Sequence, residues 1–172
     1  MRSVSLLFCI ALIAACTPRQ PEVQSSAVRQ AALPDSLSLQ RTRCFGSCPT
    51  YLVTISRAER VSFESGDTSQ IAAAASSALP YLAARAQSIG FYTLPSEILR
   101  DPELCLNRAT DMPTAIVTIF GPDTTKRVSD YYGCFVGRDL SIPARLAKLR
   151  DFEAEIDSVL GTTGFRNRAR AR

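Results

Sequence analysis

Six cysteines constrain this 172-residue chain more than any other feature: Cys9, Cys16, Cys44, Cys48, Cys105 and Cys134. They fall into two groups. The first two lie in "VSLLFCIALIAAC" (residues 4–16), an apolar run behind the single positive charge of Arg2. That run has the length of a signal-peptide core and is too short to span a bilayer. It ends in Ile13-Ala14-Ala15-Cys16. Small residues at the two positions before a cysteine fit the narrow cleft of the lipoprotein signal peptidase, so the block resembles a lipobox. Residues 1–15 are expected to be removed and Cys16 to carry the lipid. Each methylene of a buried acyl chain contributes about 0.8 kcal/mol of membrane affinity, and several chains on one residue make a durable anchor.

Export then decides how the other four cysteines are read. In an oxidising compartment they imply two disulfides, with three connectivities open. Cys44 and Cys48 frame Phe45-Gly46-Ser47, and Gly46 permits the tight turn that brings the two thiols within bonding distance. This favours Cys44–Cys48 with Cys105–Cys134, although crossed pairings stay open. Loop closure makes the short bridge worth about 2 kcal/mol and the long one about 3.5 kcal/mol. The long bridge would pin the irregular segment 95–113 onto the hairpin that follows it.

Between anchor and domain, "TPRQPEVQSSAVRQAALPDS" (17–36) lacks apolar periodicity and reads as a tether over residues 16–37. Such a segment reaches about 25 Å. Thr17 follows the lipidated cysteine where an aspartate would favour inner-membrane retention. The expectation is therefore an outer-membrane lipoprotein facing the periplasm, with the membrane as its first partner.

The folded part is expected over 38–162, leaving 163–172 as a basic, disordered tail. "TYLVTI" (50–55) and "RVSFES" (60–65) read as a β-hairpin around Arg57-Ala58-Glu59. A helix follows, with Leu79, Leu82, Ala86 and Ile89 on one stripe, Ser76 or Ser77 as its cap and Gly90 as its stop. "IAAAA" (71–75) fits either a strand or an early helical turn. "TAIVTIF" (114–120) and "TKRVSDYY" (125–132) repeat the hairpin around Gly121-Pro122-Asp123. Ser141 and Pro143 then open a second helix carrying Leu146, Leu149, Glu153, Ile156 and Leu160, ended by Gly161. Glu153 alone breaks that stripe. The pattern predicts an α+β domain: an antiparallel sheet from two ββα halves, ββαββα, with both helices on one face.

Several function classes are excluded. The chain has no histidine, the commonest general base near neutral pH and the commonest transition-metal ligand. A histidine-dependent hydrolase, a Cys-His nucleophile pair and a typical catalytic zinc site are therefore ruled out. The formal charge of +4 does not signal nucleic acid. Setting aside Arg2 and the tail's Arg166, Arg168, Arg170 and Arg172 from the 20 basic residues leaves 15 against 16 acidic ones. No basic body remains to grip a phosphate backbone. No metal or cofactor is expected.

Two chemical readings are weaker than their structural counterparts. Cys44-x-x-x-Cys48 has three intervening residues where thiol-disulfide enzymes generally use two, and Pro49 follows; a staple fits better. Asp101, Glu103, Asp111 and Asp130 could supply a carboxylate pair for glycoside hydrolysis. However, Asp101-Pro102 and Asp111-Met112-Pro113 look like turn starts. Asp130, Tyr131 and Tyr132 form a candidate binding lip, because one ring of an adjacent pair on a strand faces outward.

The blocks "RTRCFGSCPTYLVTI" (41–55), "GFYTL" (90–94), "TDMPTAIVTI" (110–119) and "KRVSDYYGC" (126–134) together resemble the bacterial family called domain of unknown function 6438. Cys-Phe-Gly-x-Cys-Pro-x-Tyr (44–51) is their most specific element. The resemblance covers about Leu37 to Leu160. It implies a lipoprotein or secreted domain and carries no activity, substrate or catalytic residue. The expected function is thus a non-catalytic envelope module that binds a protein or cell-wall partner. The alternative is an envelope thiol-disulfide or hydrolytic enzyme using Cys44 and Cys48 or the acidic residues.

Overall fold

The computed structural model describes residues 33–138 and 140–170. The signal segment, Cys16 and the tether as far as residue 32 lie outside the described residues. Strands β1 (Ser36–Arg41), β2 (Tyr51–Ser56), β3 (Arg60–Ser65) and β4 (Thr68–Ala73) precede helix α1 (Ala78–Ser88). Two 3-10 turns and the short strand β5 (Asn107–Arg108) lead into β6 (Thr114–Phe120), β7 (Thr125–Tyr131) and β8 (Cys134–Phe135). Helices α2 (Ala144–Val159) and α3 (Thr162–Arg170) close the chain.

Six strands form one antiparallel sheet in the order β4-β3-β2-β1-β6-β7, and β5 pairs with β8. The α+β class and the antiparallel sheet are as expected. The ββαββα order is not: four strands precede α1, and the two expected hairpins do not touch each other. β1 lies between them, pairing with β2 on one side and β6 on the other. The expected tether therefore ends early, because Leu37 is already fully buried.

One sheet face is apolar and faces the helices. Leu37 lies opposite Ile55 and Ile119, and Leu39 opposite Val53 and Val117. All six are buried, as are Leu79, Leu82 and Ala86 of α1 and Leu146, Leu149, Phe152 and Ile156 of α2. Both helices thus cover the same face. Ser77 holds the position before α1 without making a side-chain cap bond. Gly90 and Gly161 follow α1 and α2 with φ of 74° and 66°, the left-handed turn that stops a helix.

The basic end is ordered over most of its length, contrary to the expected tail. Phe165 is buried and stacks on Phe63 at 5.3 Å, and Arg168 donates to the Gln70 side chain at 3.0 Å. One aromatic in an otherwise polar segment supplies enough apolar area to dock it. The disulfides are Cys44–Cys48 and Cys105–Cys134. The second holds 95–113 to the second hairpin, together with Ser129 N–H donating to the Ser96 carbonyl at 2.9 Å. Among the described residues no helix is long and apolar enough to cross a membrane.

Candidate functional site

The inner sheet face changes character at one end. Arg41 lies opposite Tyr51 on β2 and Ala115 on β6, and Ala115 lies opposite Asp130 on β7. A row of Tyr51, Arg41 and Asp130 therefore replaces the aliphatic rows beside it, with Ala115 leaving room above. α2 crosses this row and presents Arg150, Glu153 and Asp157. Spacings of three and four place them on one helical face.

These groups pair with one another. Arg150 Nε donates to Asp130 Oδ2 at 2.9 Å, and Arg150 Nη2 donates to the Tyr131 carbonyl at 3.3 Å. Arg41 Nη2 donates to Asp157 Oδ2 at 2.9 Å, and the Tyr51 hydroxyl donates to Asp157 Oδ1 at 2.6 Å. The Tyr132 hydroxyl donates to Glu153 Oε2 at 2.5 Å while accepting from Arg41 Nη1, which also lies 3.5 Å from Glu153. The Arg150 and Arg41 guanidiniums sit 4.8 and 5.4 Å from the centre of the Tyr132 ring. Among the described residues no buried side-chain polar atom lacks a partner.

Burial sets the electrostatics. It pushes the Glu153 carboxyl up, to about 8, and the neighbouring Asp130 carboxylate adds to the rise; the Tyr132 hydrogen bond and the Arg41 and Arg150 charges oppose it. Burial also raises Asp130 against the pull of Arg150. The Tyr51 phenol is pushed up to about 12, first by burial and then by Asp157. Burial raises Tyr132 as well. The cluster holds its protons more tightly than the same groups in water.

The cluster opens to solvent through a slot of about 250 Å³ whose lining includes Cys48, Pro49, Pro113, Tyr132, Asp157 and Arg166. The Cys44–Cys48 loop forms one wall, and its tip carries Phe45 at 91% exposure. Phe45 N–H donates to the Asp111 carbonyl at 3.0 Å, which ties the loop to the segment bearing the exposed Met112. An aromatic ring thus stands free in solvent on a backbone fixed by a five-residue disulfide loop and a cross-loop hydrogen bond.

The expected lip divides. Asp130 is fully buried against Arg150 and is not a surface group. Tyr131 is half-buried, its hydroxyl donating to the Ala109 carbonyl at 2.9 Å. Only Tyr132 reaches the slot. Gly133 permits this packing, since a Cβ there would stand 2.4 Å from the Ala109 carbonyl oxygen and 2.5 Å from the Tyr131 ring. The four acids do not assemble. Asp101 Oδ1 accepts the Glu103 and Leu104 N–H groups at 2.8 and 3.2 Å, a turn start, and Asp111 sits on its loop with φ 62°.

Arg41, Tyr51, Arg150, Asp157, Arg166 and Phe45 carry no local signal of this role. Glu153, the lone charge on an apolar stripe, is the visible sign besides Asp130 and Tyr132 of the candidate lip. No curated protein matches this chain. A family model does match, over residues 35–159. The strands, the Cys44–Cys48 loop and all of the buried cluster lie inside that match, and the chain belongs to the family described as Domain of unknown function (DUF6438).

Proposed function

We propose that this chain is a lipid-anchored envelope module that binds an envelope protein through the slot and Phe45, without catalysis. The observation that carries the reading is Phe45. A wholly exposed aromatic costs solubility, and one held on a rigid loop loses little entropy when it is buried by a partner. Aromatic and arginine side chains dominate interface energies; the exposed Arg43 is two residues before Phe45, and Cys48 of the same loop lines the slot together with the half-buried Arg166. The partner this suits offers an apolar socket for the ring and a carboxylate for the arginines.

Against catalysis stands the pairing of the cluster. Asp130 is engaged by Arg150, and Asp157 by Arg41 and Tyr51, so neither is a free base. Cys44 and Cys48 are closed in a loop that runs directly into Pro49 and β2. That supports a staple over a redox pair.

Anchoring rests on the Ile13-Ala14-Ala15-Cys16 block. Cys16→Ser is expected to abolish metabolic labelling with radioactive palmitate and to leave the chain unprocessed or released from membranes. If Cys16→Ser stays membrane-bound with its signal removed normally, the anchor is not on Cys16.

A further inference from the structure

The two edges of the six-stranded sheet are finished differently. At β7 the edge is guarded: Ser129 N–H is bonded to the Ser96 carbonyl, Lys126 reaches the Leu94 carbonyl, and Arg127 pairs with Glu97 at 3.1 Å. On the β4 edge, among the described residues, no hydrogen bond or ion pair of this kind engages the outward residues Ser69, Ile71 and Ala73; its side-chain tie is Gln70, on the inner face, to Phe165 and Arg168 of α3. Thr68-Ser69-Gln70-Ile71-Ala72-Ala73 contains no charge and no proline, the usual devices that keep an edge from pairing.

The ladder shows which groups are free. Ala74 N–H donates to the Glu59 carbonyl at 2.7 Å, so 59 and 74 form a hydrogen-bonded pair. Hydrogen-bonded and non-bonded pairs alternate along an antiparallel ladder. In the observed register Val61 pairs with Ala72 and Phe63 with Gln70, so Ala72, Gln70 and Thr68 direct their backbone groups to β3. Ser69, Ile71 and Ala73 direct theirs outward. Among the described residues no backbone hydrogen bond outside the β3–β4 ladder reaches these three. Their side chains share the open sheet face, where Ile71 is 62% exposed.

We infer that β4 is a self-association edge: two copies of the chain pair antiparallel about a two-fold axis at Ile71, extending one sheet through both. In this register Ile71 meets Ile71 of the second copy, and Ser69 meets its Ala73. All six outward N–H and C=O groups of each copy are then paired, and β4 brings no charged residue of its own to the seam. The small-large-small order of Ser69, Ile71 and Ala73 makes the edge complementary to itself, as a two-fold interface requires. The exposed β-branched side chain gains a β-branched neighbour across the axis. Head-to-tail growth is blocked because the β7 edge is occupied. A six-residue edge buries less than the roughly 1,200–2,000 Å² of a stable interface, so the dimer is weak and concentration-dependent.

Single-cysteine variants of the full chain test the axis in native membranes. Opposed residues of a bonded antiparallel pair have Cα atoms about 5.5 Å apart, within disulfide reach. Ile71→Cys is expected to give a covalent homodimer under mild oxidation. Ser69→Cys is not, because its counterpart lies roughly 13 Å further along the strand. In sedimentation of the detergent-solubilised chain at rising concentration, the parent protein is expected to move toward dimer. Ile71→Lys, at a solvated position, is expected to weaken association at least tenfold with an unchanged thermal midpoint. Four outcomes would overturn the inference: no link from Ile71→Cys, equal linking from Ser69→Cys, an Ile71→Cys adduct with a different protein, or a parent chain that stays monomeric at every concentration.

Discussion

Arg150→Ala is expected to cost about 3–5 kcal/mol of folding stability, because it leaves the Asp130 carboxylate buried without its counter-charge. Asp130 is fully buried, and Arg150 grips it through Nε at 2.9 Å. Small domains have roughly 5–15 kcal/mol in total, so the variant would sit near the edge of folding. Adding Asp130→Asn is expected to restore part of the loss, since a neutral amide is far cheaper to bury than a lone charge. Chemical denaturation of both variants measures this directly. If Arg150→Ala alone costs less than about 1 kcal/mol, like a surface ion pair, the cluster is not the closed network described.

The same cluster fixes a pH signature. The folded Glu153 carboxyl titrates at about 8 against an ordinary value of 4.5, so between those values the folded chain binds a proton that the unfolded chain has lost. Its contribution to stability is full below the ordinary value and disappears as pH rises through about 8. The thermal midpoint is expected to fall between pH 5 and pH 8, and Glu153→Gln to flatten that fall.

Leu149→Ala is expected to cost about 2–5 kcal/mol, the range for emptying a leucine site in a close-packed core. Leu149 is fully buried beside Leu146, Phe152 and Ile156, beneath which lie the aliphatic rows of β1, β2 and β6. Lys148 next to it is exposed, and Lys148→Ala is expected to change almost nothing. A helix of this length is marginal alone in water, so its order depends on that buried face. Equal melting of Leu149→Ala and the parent would mean that α2 does not pack on the sheet.

Parts of the fold could be read from the chain because their signals are local. The two hairpins and the two longer helices follow from alternation, helical spacing and turn residues within a dozen positions of each other. β1 escaped because Leu37 and Leu39 are its only strongly apolar residues and it abuts the polar tether. α3 escaped because three arginines outvote one phenylalanine in composition, although Phe165 supplies the buried ring on which the segment docks. The candidate site was almost illegible. Arg41 meets Tyr132, Glu153 and Asp157 across 91, 112 and 116 residues of sequence, and no local pattern encodes such pairings. By residue type Asp130 and Tyr132 read as surface groups. Their burial depends on α2 crossing the end of the sheet, which only the assembled sheet reveals.

The most direct test of the proposed function is site-specific photo-crosslinking in cells, with a benzophenone side chain placed at residue 45 or at residue 62 of the full lipid-anchored chain. Position 45 is the exposed tip of the disulfide loop, and position 62 lies on the open face of β3, away from the slot. The expected result is one adduct of defined mass from position 45. Arg166→Glu, a change at the slot wall expected to leave the thermal midpoint intact, should abolish it, and position 62, which lies opposite Ile71 on β4, should give no adduct of that mass, only a link to a second copy of the chain. Adducts of that same mass and equal strength from both positions, or an adduct from position 45 indifferent to Arg166→Glu, would contradict recognition through Phe45 and the slot.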